Sequence, residues 1–217
     1  MQREDYCLET VSTFDKFADR YAEKYFHLDI YDRYLDRFAK GIKVEGARVI
    51  DIACGPGNIS AYLSRKRPDL ELVGVDLSEA MIEQARQRVP SAEFLVKDCR
   101  KISELNRVFD CAAFAFGLNY LVDGDAIQFF AALNGVLTDG ANLYLSTITG
   151  DPNKSGFETS GSGDRVFIRY RSVDDVVSMV EQAGYKIDFM EMIESPASAP
   201  KSTQDMILIA QLEKSEL

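Results

Sequence analysis

The chain has 217 residues, 46% of them hydrophobic and 28% charged, with 14 glycines and 6 prolines; this is the size of one domain, or of one with a modest appendage, and excludes a disordered or fibrous chain. With 25 basic residues against 35 acidic ones the net charge is −10, a field that repels phosphate backbones and argues against a nucleic-acid partner. Cys7, Cys54, Cys99 and Cys111 lie singly without CxxC spacing, no basic-then-apolar leader is visible, and the least polar run, residues 111–122, is too short to span a bilayer, so the expectation is reduced thiols, a cytoplasmic location and no membrane partner.

Residues 1–42 read as helix, because Phe14, Phe17, Tyr21 and Tyr25, then Tyr31, Tyr34 or Leu35, and Phe38 recur at spacings of three and four. They are expected to form an amphipathic helical cap belonging to the same domain, its rings either packing on the sheet or, some of them, closing over a ligand. From residue 43 to the end, β-branched runs alternate with helical patterns, the signature of a doubly wound α/β sheet, mostly parallel and Rossmann-like. Residues 47–53 read as strand one and 58–66 as a helix stopped by Pro68. Residues 70–76 form strand two, and Ser78 then caps a helix with Met81, Ile82, Ala85 and Val89 on its apolar face. Strands are expected at 92–97 and 109–116, a helix at 125–137, and a fifth strand at 142–148 after Gly140. Residues 149–164, with Gly150, Pro152, Gly156, Gly161 and Gly163, read as an irregular loop. A short strand at 166–170 follows, and Ser172-x-x-Asp175 opens a capping-box helix closed by Gly184. The last two runs, 185–193 and 206–212, are joined by a segment too short for a crossover helix, so they should be antiparallel.

The motif Asp51-x-x-Cys54-Gly55-x-Gly57 places two glycines just past strand one, where ligands lie against α/β sheets. Such a turn serves several nucleotide cofactors. Asp76 ends strand two, 21 residues after Gly55, the place for an acid that takes both ribose hydroxyls, in NAD as in an adenosyl ligand. Asp51 discriminates: an anion at the end of strand one opposes a pyrophosphate and welcomes an ammonium and a sulfonium. S-adenosylmethionine carries both.

Together with the Asp98-Cys99 pair after strand three, these motifs resemble those of the class I S-adenosylmethionine-dependent methyltransferases, over residues 43–212. The resemblance implies a seven-stranded sheet with its last-formed strand antiparallel. It also implies that Ala53, Cys54, Gly55 and Gly57 line the methionine portion and that Asp51 reaches its ammonium. By the same resemblance Asp76 binds the ribose, Leu77 and Met81 flank the adenine, and Asp98 accepts from the adenine amino group beside the Cys99 backbone. Phe114 and Phe116, after strand four, would pass the sulfonium, and Tyr21 of the cap would close over the cofactor. Ala53 and Asn58 stand where many members have glycines. The strand-four exit, Phe114-Ala115-Phe116-Gly117-Leu118-Asn119-Tyr120, lacks the Pro-Pro-aromatic signature of enzymes that methylate nucleic-acid amino groups.

The expected activity is direct in-line methyl transfer to a small-molecule acceptor. No catalytic residue is assigned; His27, Asn119 and Tyr120 are candidates for acceptor contact or general base, and transfer from a sulfonium does not require a base. Arg165, Arg169 and Arg171 alternate along a strand, facing either solvent or an anionic acceptor. Cys54 and Cys99 read as packing residues, and no side-chain spacing suggests a metal. The alternatives are an NAD-dependent oxidoreductase, a catalytically inactive S-adenosylmethionine-binding module, and a methyltransferase acting on a protein or RNA. Acceptor, methylated atom and oligomeric state, a homodimer included, stay open.

Overall fold

The apolar run at residues 49–52 forms β1 (Arg48–Ile52), buried along almost its whole length, as the central strand of a parallel sheet must be. In the computed structural model, which describes residues 6–160, 163–199 and 201–214, it is followed by α3 (Asn58–Lys66), β2 (Glu71–Asp76), α4 (Glu79–Arg88), β3 (Glu93–Val96), β4 (Phe109–Ala115), α5 (Asp123–Val136) and β5 (Leu137–Thr149). Before it stand α1 (Tyr6–Tyr25) and α2 (Asp32–Gly41); after β5 come β6 (Gly156–Thr159), β7 (Arg165–Ile168), α6 (Val173–Gln182), β8 (Tyr185–Glu194) and β9 (Gln204–Leu212). The main sheet runs β3-β2-β1-β4-β5-β9-β8, with β9 antiparallel to both β5 and β8 and the other pairs parallel. Seven strands with one antiparallel, in a doubly wound order, agree with the expectation.

Two cores flank the sheet. On one face α5 and α6 bury Phe129, Phe130, Leu133, Val176 and Val180 against Ile50, Ile52 and Phe114, with the Phe114 and Phe129 ring centroids 4.5 Å apart. On the other, α2 and α3 bury Phe38 and Leu63 against Val49, Tyr144 and Ile209. The chain leaves β1 toward β2 and β3, then returns to β4 on the other side of β1, and that reversal opens a crevice at the carboxyl ends of β1 and β4.

Two expectations are corrected here. Residues 149–164 are not wholly irregular: β6 pairs antiparallel with β7, Phe157 opposite Phe167. This hairpin holds α1, because Tyr6 stacks on Phe167 at 4.8 Å, Thr10 Oγ1 accepts from Phe167 N at 3.0 Å and Thr13 donates to Arg165 O at 2.7 Å. β5 begins at Leu137 rather than 142, with Gly140 at φ +71° within it and an irregular register opposite Phe109 and Cys111. Ser172 and Asp175 form the expected capping box. Among the described residues, no helix is long and apolar enough to cross a membrane.

Candidate functional site

The turn after β1 is built from left-handed backbone. Ala53, Gly55 and Gly57 have φ of +51°, +52° and +88°, and no atom lies within 4 Å of where a Gly55 side chain would stand. The turn is tied to its neighbour by one carboxylate, since Asp76 Oδ2 accepts from Gly55 N and Oδ1 from Ser78 N, both at 2.9 Å. Burial pushes the Asp76 carboxyl above its usual range, and these backbone donors oppose it. Ala53 is the strained member, because a β-carbon in this region costs about 1–2 kcal/mol. Ala53→Gly is therefore expected to raise stability by about 0.5–1 kcal/mol after the added chain entropy of glycine. A urea midpoint at or below that of the parent would show that Ala53 is not strained.

Asp51 sits on β1 with Gly74 of β2 and Ala113 of β4 beside it in register, small neighbours that leave room for a carboxylate. Its Oδ2 accepts from Ser60 N at 3.0 Å and Ser60 Oγ at 2.6 Å at the start of α3. Among the described residues no hydrogen bond reaches Oδ1. Burial pushes its carboxyl up to about 7, against the two Ser60 hydrogen bonds.

Around this turn lies a cavity of about 1000 Å³. Of the residues singled out in the sequence, Tyr21, His27, Asp51, Ala53, Cys54, Gly55, Phe116 and Tyr120 line it. Further rings come from Phe14, Phe17, Tyr25, Tyr31, Tyr144 and Phe157, and burial raises the phenols of Tyr21, Tyr31, Tyr120 and Tyr144, keeping them neutral hydroxyls. His27 is exposed, in the turn between α1 and α2.

Gly57, Asp76, Leu77, Met81, Asp98 and Cys99 are not on that wall. Over the start of α4 lies α1, whose Asp15 accepts from Ser78 Oγ at 2.6 Å and Ala80 N at 3.1 Å. Asp98 is gripped by Arg100, whose Nε and Nη2 donate to both carboxylate oxygens at 2.7–3.0 Å, so an adenine amino group would share this acid with a guanidinium.

Three expectations about side chains are corrected. Phe114 points its ring into the α5 core instead of the crevice; the left-handed φ of +58° at Phe116 breaks the two-residue alternation, so Phe116 alone reaches the cavity. Asn119 is a frame residue: its amide donates to Ile148 O at 2.8 Å and accepts from Ile148 N at 2.9 Å and Thr147 Oγ1 at 3.0 Å, leaving little for an acceptor. The arginines do not form one face: Arg165 is exposed as a solvated face requires, whereas Arg169 and Arg171 turn into the fold, and none lines the cavity. Arg165 pairs with Glu9, Arg169 with Asp123, and Arg171, 2% exposed, binds Asp123, Leu118 O and Leu121 O.

The residues that sequence reasoning missed are Asp205 and Ser146; Tyr31 is legible there as one of the cap rings, without its partner. Asp205 and Ser146 are buried on the cavity wall, and the Tyr31 hydroxyl donates to Asp205 Oδ2 at 2.7 Å. An acid opening the apolar run 206–212 was the available signal.

Residues 49–140 match the protein family described as a methyltransferase domain. The demethylmenaquinone methyltransferase of Thermotoga maritima is 35% identical over 216 residues, covering 84% of this chain and 92% of that protein. The trans-aconitate 2-methyltransferase of Variovorax paradoxus is 37% identical over 97 residues, 43% of this chain and 38% of that one. Among solved structures, magnesium protoporphyrin IX methyltransferase from Synechocystis with bound S-adenosylhomocysteine superposes with a TM-score of 0.73 at 18% identity, covering 97% of this chain and 100% of that one.

Proposed function

The chain belongs to the class I S-adenosylmethionine-dependent methyltransferases, and on that footing we propose that it methylates a small, uncharged aromatic molecule held in the ring-lined cavity beside the glycine turn. S-adenosylmethionine is the methyl donor, and it supplies an activated methyl group on a sulfonium. Neither the oxidoreductase nor the inactive-module alternative finds support in the comparisons.

The observation that carries the acceptor class is the composition of the cavity wall. Aromatic side chains dominate it, and its acids, Asp29, Asp32, Asp51, Glu158, Asp164 and Asp205, outnumber its cations, Arg65, Lys154 and Lys201. Lys201 is already paired with Glu158 at 2.9 Å. A polyanion such as trans-aconitate would meet repulsion there, whereas a planar neutral ring would stack and bury area. The T. maritima relative, named for a quinone, is in keeping with this class.

For the donor, Asp51 with its open Oδ1 and the bare Gly55 surface fit an ammonium-bearing chain at the end of β1. In this reading Ala53, Cys54, Gly55 and Gly57 cradle the methionine portion. Asp76 takes the ribose hydroxyls on the lone pairs its backbone bonds leave free, and Leu77, Met81, Asp98 and Cys99 form the adenine side under α1. Tyr21 and Phe116 close the cavity around the transferring group, and the ring wall excludes water from it. Tyr120 and His27 remain candidate acceptor contacts.

The assay is methyl transfer from isotopically labelled S-adenosylmethionine to 1,4-naphthalenediol under anaerobic conditions, beside trans-aconitate. Label in the diol alone is expected; label in trans-aconitate alone would overturn the acceptor class. The state of Asp51 adds a pH signature. An ammonium prefers the carboxylate, so below its raised pKa of about 7 binding must expel a proton and affinity falls with pH. S-adenosylhomocysteine is expected to bind about tenfold more tightly at pH 8 than at pH 6, and Asp51→Asn to flatten that slope. Equal slopes in calorimetric titrations of the two proteins would remove Asp51 from the ammonium site.

A further inference from the structure

On the cavity wall, three strands from the glycine turn, stands a carboxylate with an unused oxygen. Asp205 of β9 is opposite Ile148 of β5 and Ile193 of β8, so it shares a sheet face with Tyr144 and Ser146. It is 1% exposed. Tyr31, at the N-cap of α2, donates to Oδ2 at 2.7 Å and packs its ring edge-on to Phe116 at 5.5 Å. Asp205 Oδ1 is buried with no hydrogen-bond partner, while the Ser146 hydroxyl faces the Tyr144 phenol. Asp205, Tyr31, Phe116, Tyr144 and Ser146 all line the same cavity as Asp51 and Gly55.

A buried carboxylate oxygen without a donor is costly, and such orphans in a folded protein call for a partner. Packing does not demand an acid here, because the neighbouring positions on this face, Ile207 and Ile209, are aliphatic. Two strand spacings, about 10 Å, separate β4 from β9, a span that a bicyclic ring lying across β5 fills between Phe116 and Asp205. Resting on the methyltransferase reading, we propose that Asp205, braced by Tyr31, is the specificity-determining residue for the acceptor and takes a hydrogen bond from a free hydroxyl on its aromatic ring. Asp205 Oδ1 then gains its missing donor. An ether at the same place leaves Oδ1 unsatisfied, and a site built to bond a hydroxyl rejects an analogue that lacks it.

The test titrates 1-naphthol and 1-methoxynaphthalene into the full chain saturated with S-adenosylhomocysteine. The expected result is a preference of about tenfold or more for the naphthol, lost in Asp205→Asn, with affinity for S-adenosylhomocysteine unchanged. In the asparagine variant the amide oxygen takes the Tyr31 hydroxyl and Nδ2 faces the ligand, a donor from which the naphthol and ether oxygens accept alike. Tyr31→Phe, which leaves the acid in place without its brace, is expected to lower naphthol affinity several-fold and serves if the asparagine variant fails to fold. Equal affinity for naphthol and ether in the parent, no naphthol binding, or a naphthol preference kept in the folded asparagine variant would each overturn the proposal and make the Asp205 to Tyr31 bond a structural strut only. Failure of the parent chain to bind S-adenosylhomocysteine would instead strike the methyltransferase reading.

Discussion

Asp76→Ala is expected to weaken S-adenosylhomocysteine binding by about 2–4 kcal/mol, roughly 30- to 1,000-fold, with the fold retained. Two losses combine. The first is the pair of hydrogen bonds proposed to the ribose hydroxyls, charge-assisted because the acceptor is ionised and so stronger than neutral ones. The second is preorganisation, because the same carboxylate holds Gly55 N and Ser78 N at 2.9 Å, and without it the glycine turn and the first turn of α4 are free to drift apart. Asp76→Asn separates them. Its amide oxygen keeps one backbone donor and its nitrogen confronts the other, so it is expected to fall between parent and alanine variant. Calorimetry reads affinity and thermal melting reads the turn; an alanine variant that binds like the parent but melts lower would confine Asp76 to holding the turn.

The frame of this fold is legible in the chain because it rests on local signals: β-branched runs, periodic apolar faces, and caps such as Ser78, whose hydroxyl accepts from Met81 N at 3.1 Å. The glycine turn and its acids are legible for the same reason, since strand ends fix where Asp51 and Asp76 must stand. What is not legible depends on partners distant in sequence. The strand β6 exists because β7 and, through it, α1 cover Phe157, and five glycines and prolines in that stretch mask it. The arginines at 169 and 171 look like a strand face until Asp123, 46 and 48 residues away, gathers both. Phe114 and Phe116 share a strand parity that only a left-handed residue breaks. Asp205 reads as a polar strand end and is instead turned inward by its register with Ile148. The adenine side is the other gap: helical spacing foretells that the cap is amphipathic, and cannot say that Asp15 will dock on the start of α4.

Arg171→Met is expected to be the most damaging substitution to stability away from the cofactor, costing about 3–5 kcal/mol and about 6–20 °C in Tm for a chain of this size. The guanidinium is buried, its Nη1 donating to Leu118 O at 2.9 Å and its Nη2 to Leu121 O at 2.7 Å, while Asp123 Oδ1 lies 3.0 Å from Nη2. These carbonyls belong to the turn between β4 and α5, which is pinned from the other side by Asn119. Methionine fills the volume but leaves Leu121 O without the donor that held it, Leu118 O with only the Leu121 N–H at 3.2 Å, and Asp123 with Arg169 alone. Burial pulls the Arg171 pKa down, and Asp123 opposes it; an arginine starts high enough to stay charged at neutral pH, so the pair is intact across the ordinary range. Arg171→Lys should recover part of the loss, because a single ammonium cannot reach two carbonyls and a carboxylate in the planar fork that arginine presents. The same strut carries Tyr120 on the cavity wall. The lysine variant is therefore expected to bind 1-naphthol more weakly while holding S-adenosylhomocysteine as the parent does, because the glycine turn is anchored separately by Asp76. A methionine variant that unfolds in urea at the parent's midpoint would mean that water satisfies these carbonyls, and that the turn is held by Asn119 without help from Arg171.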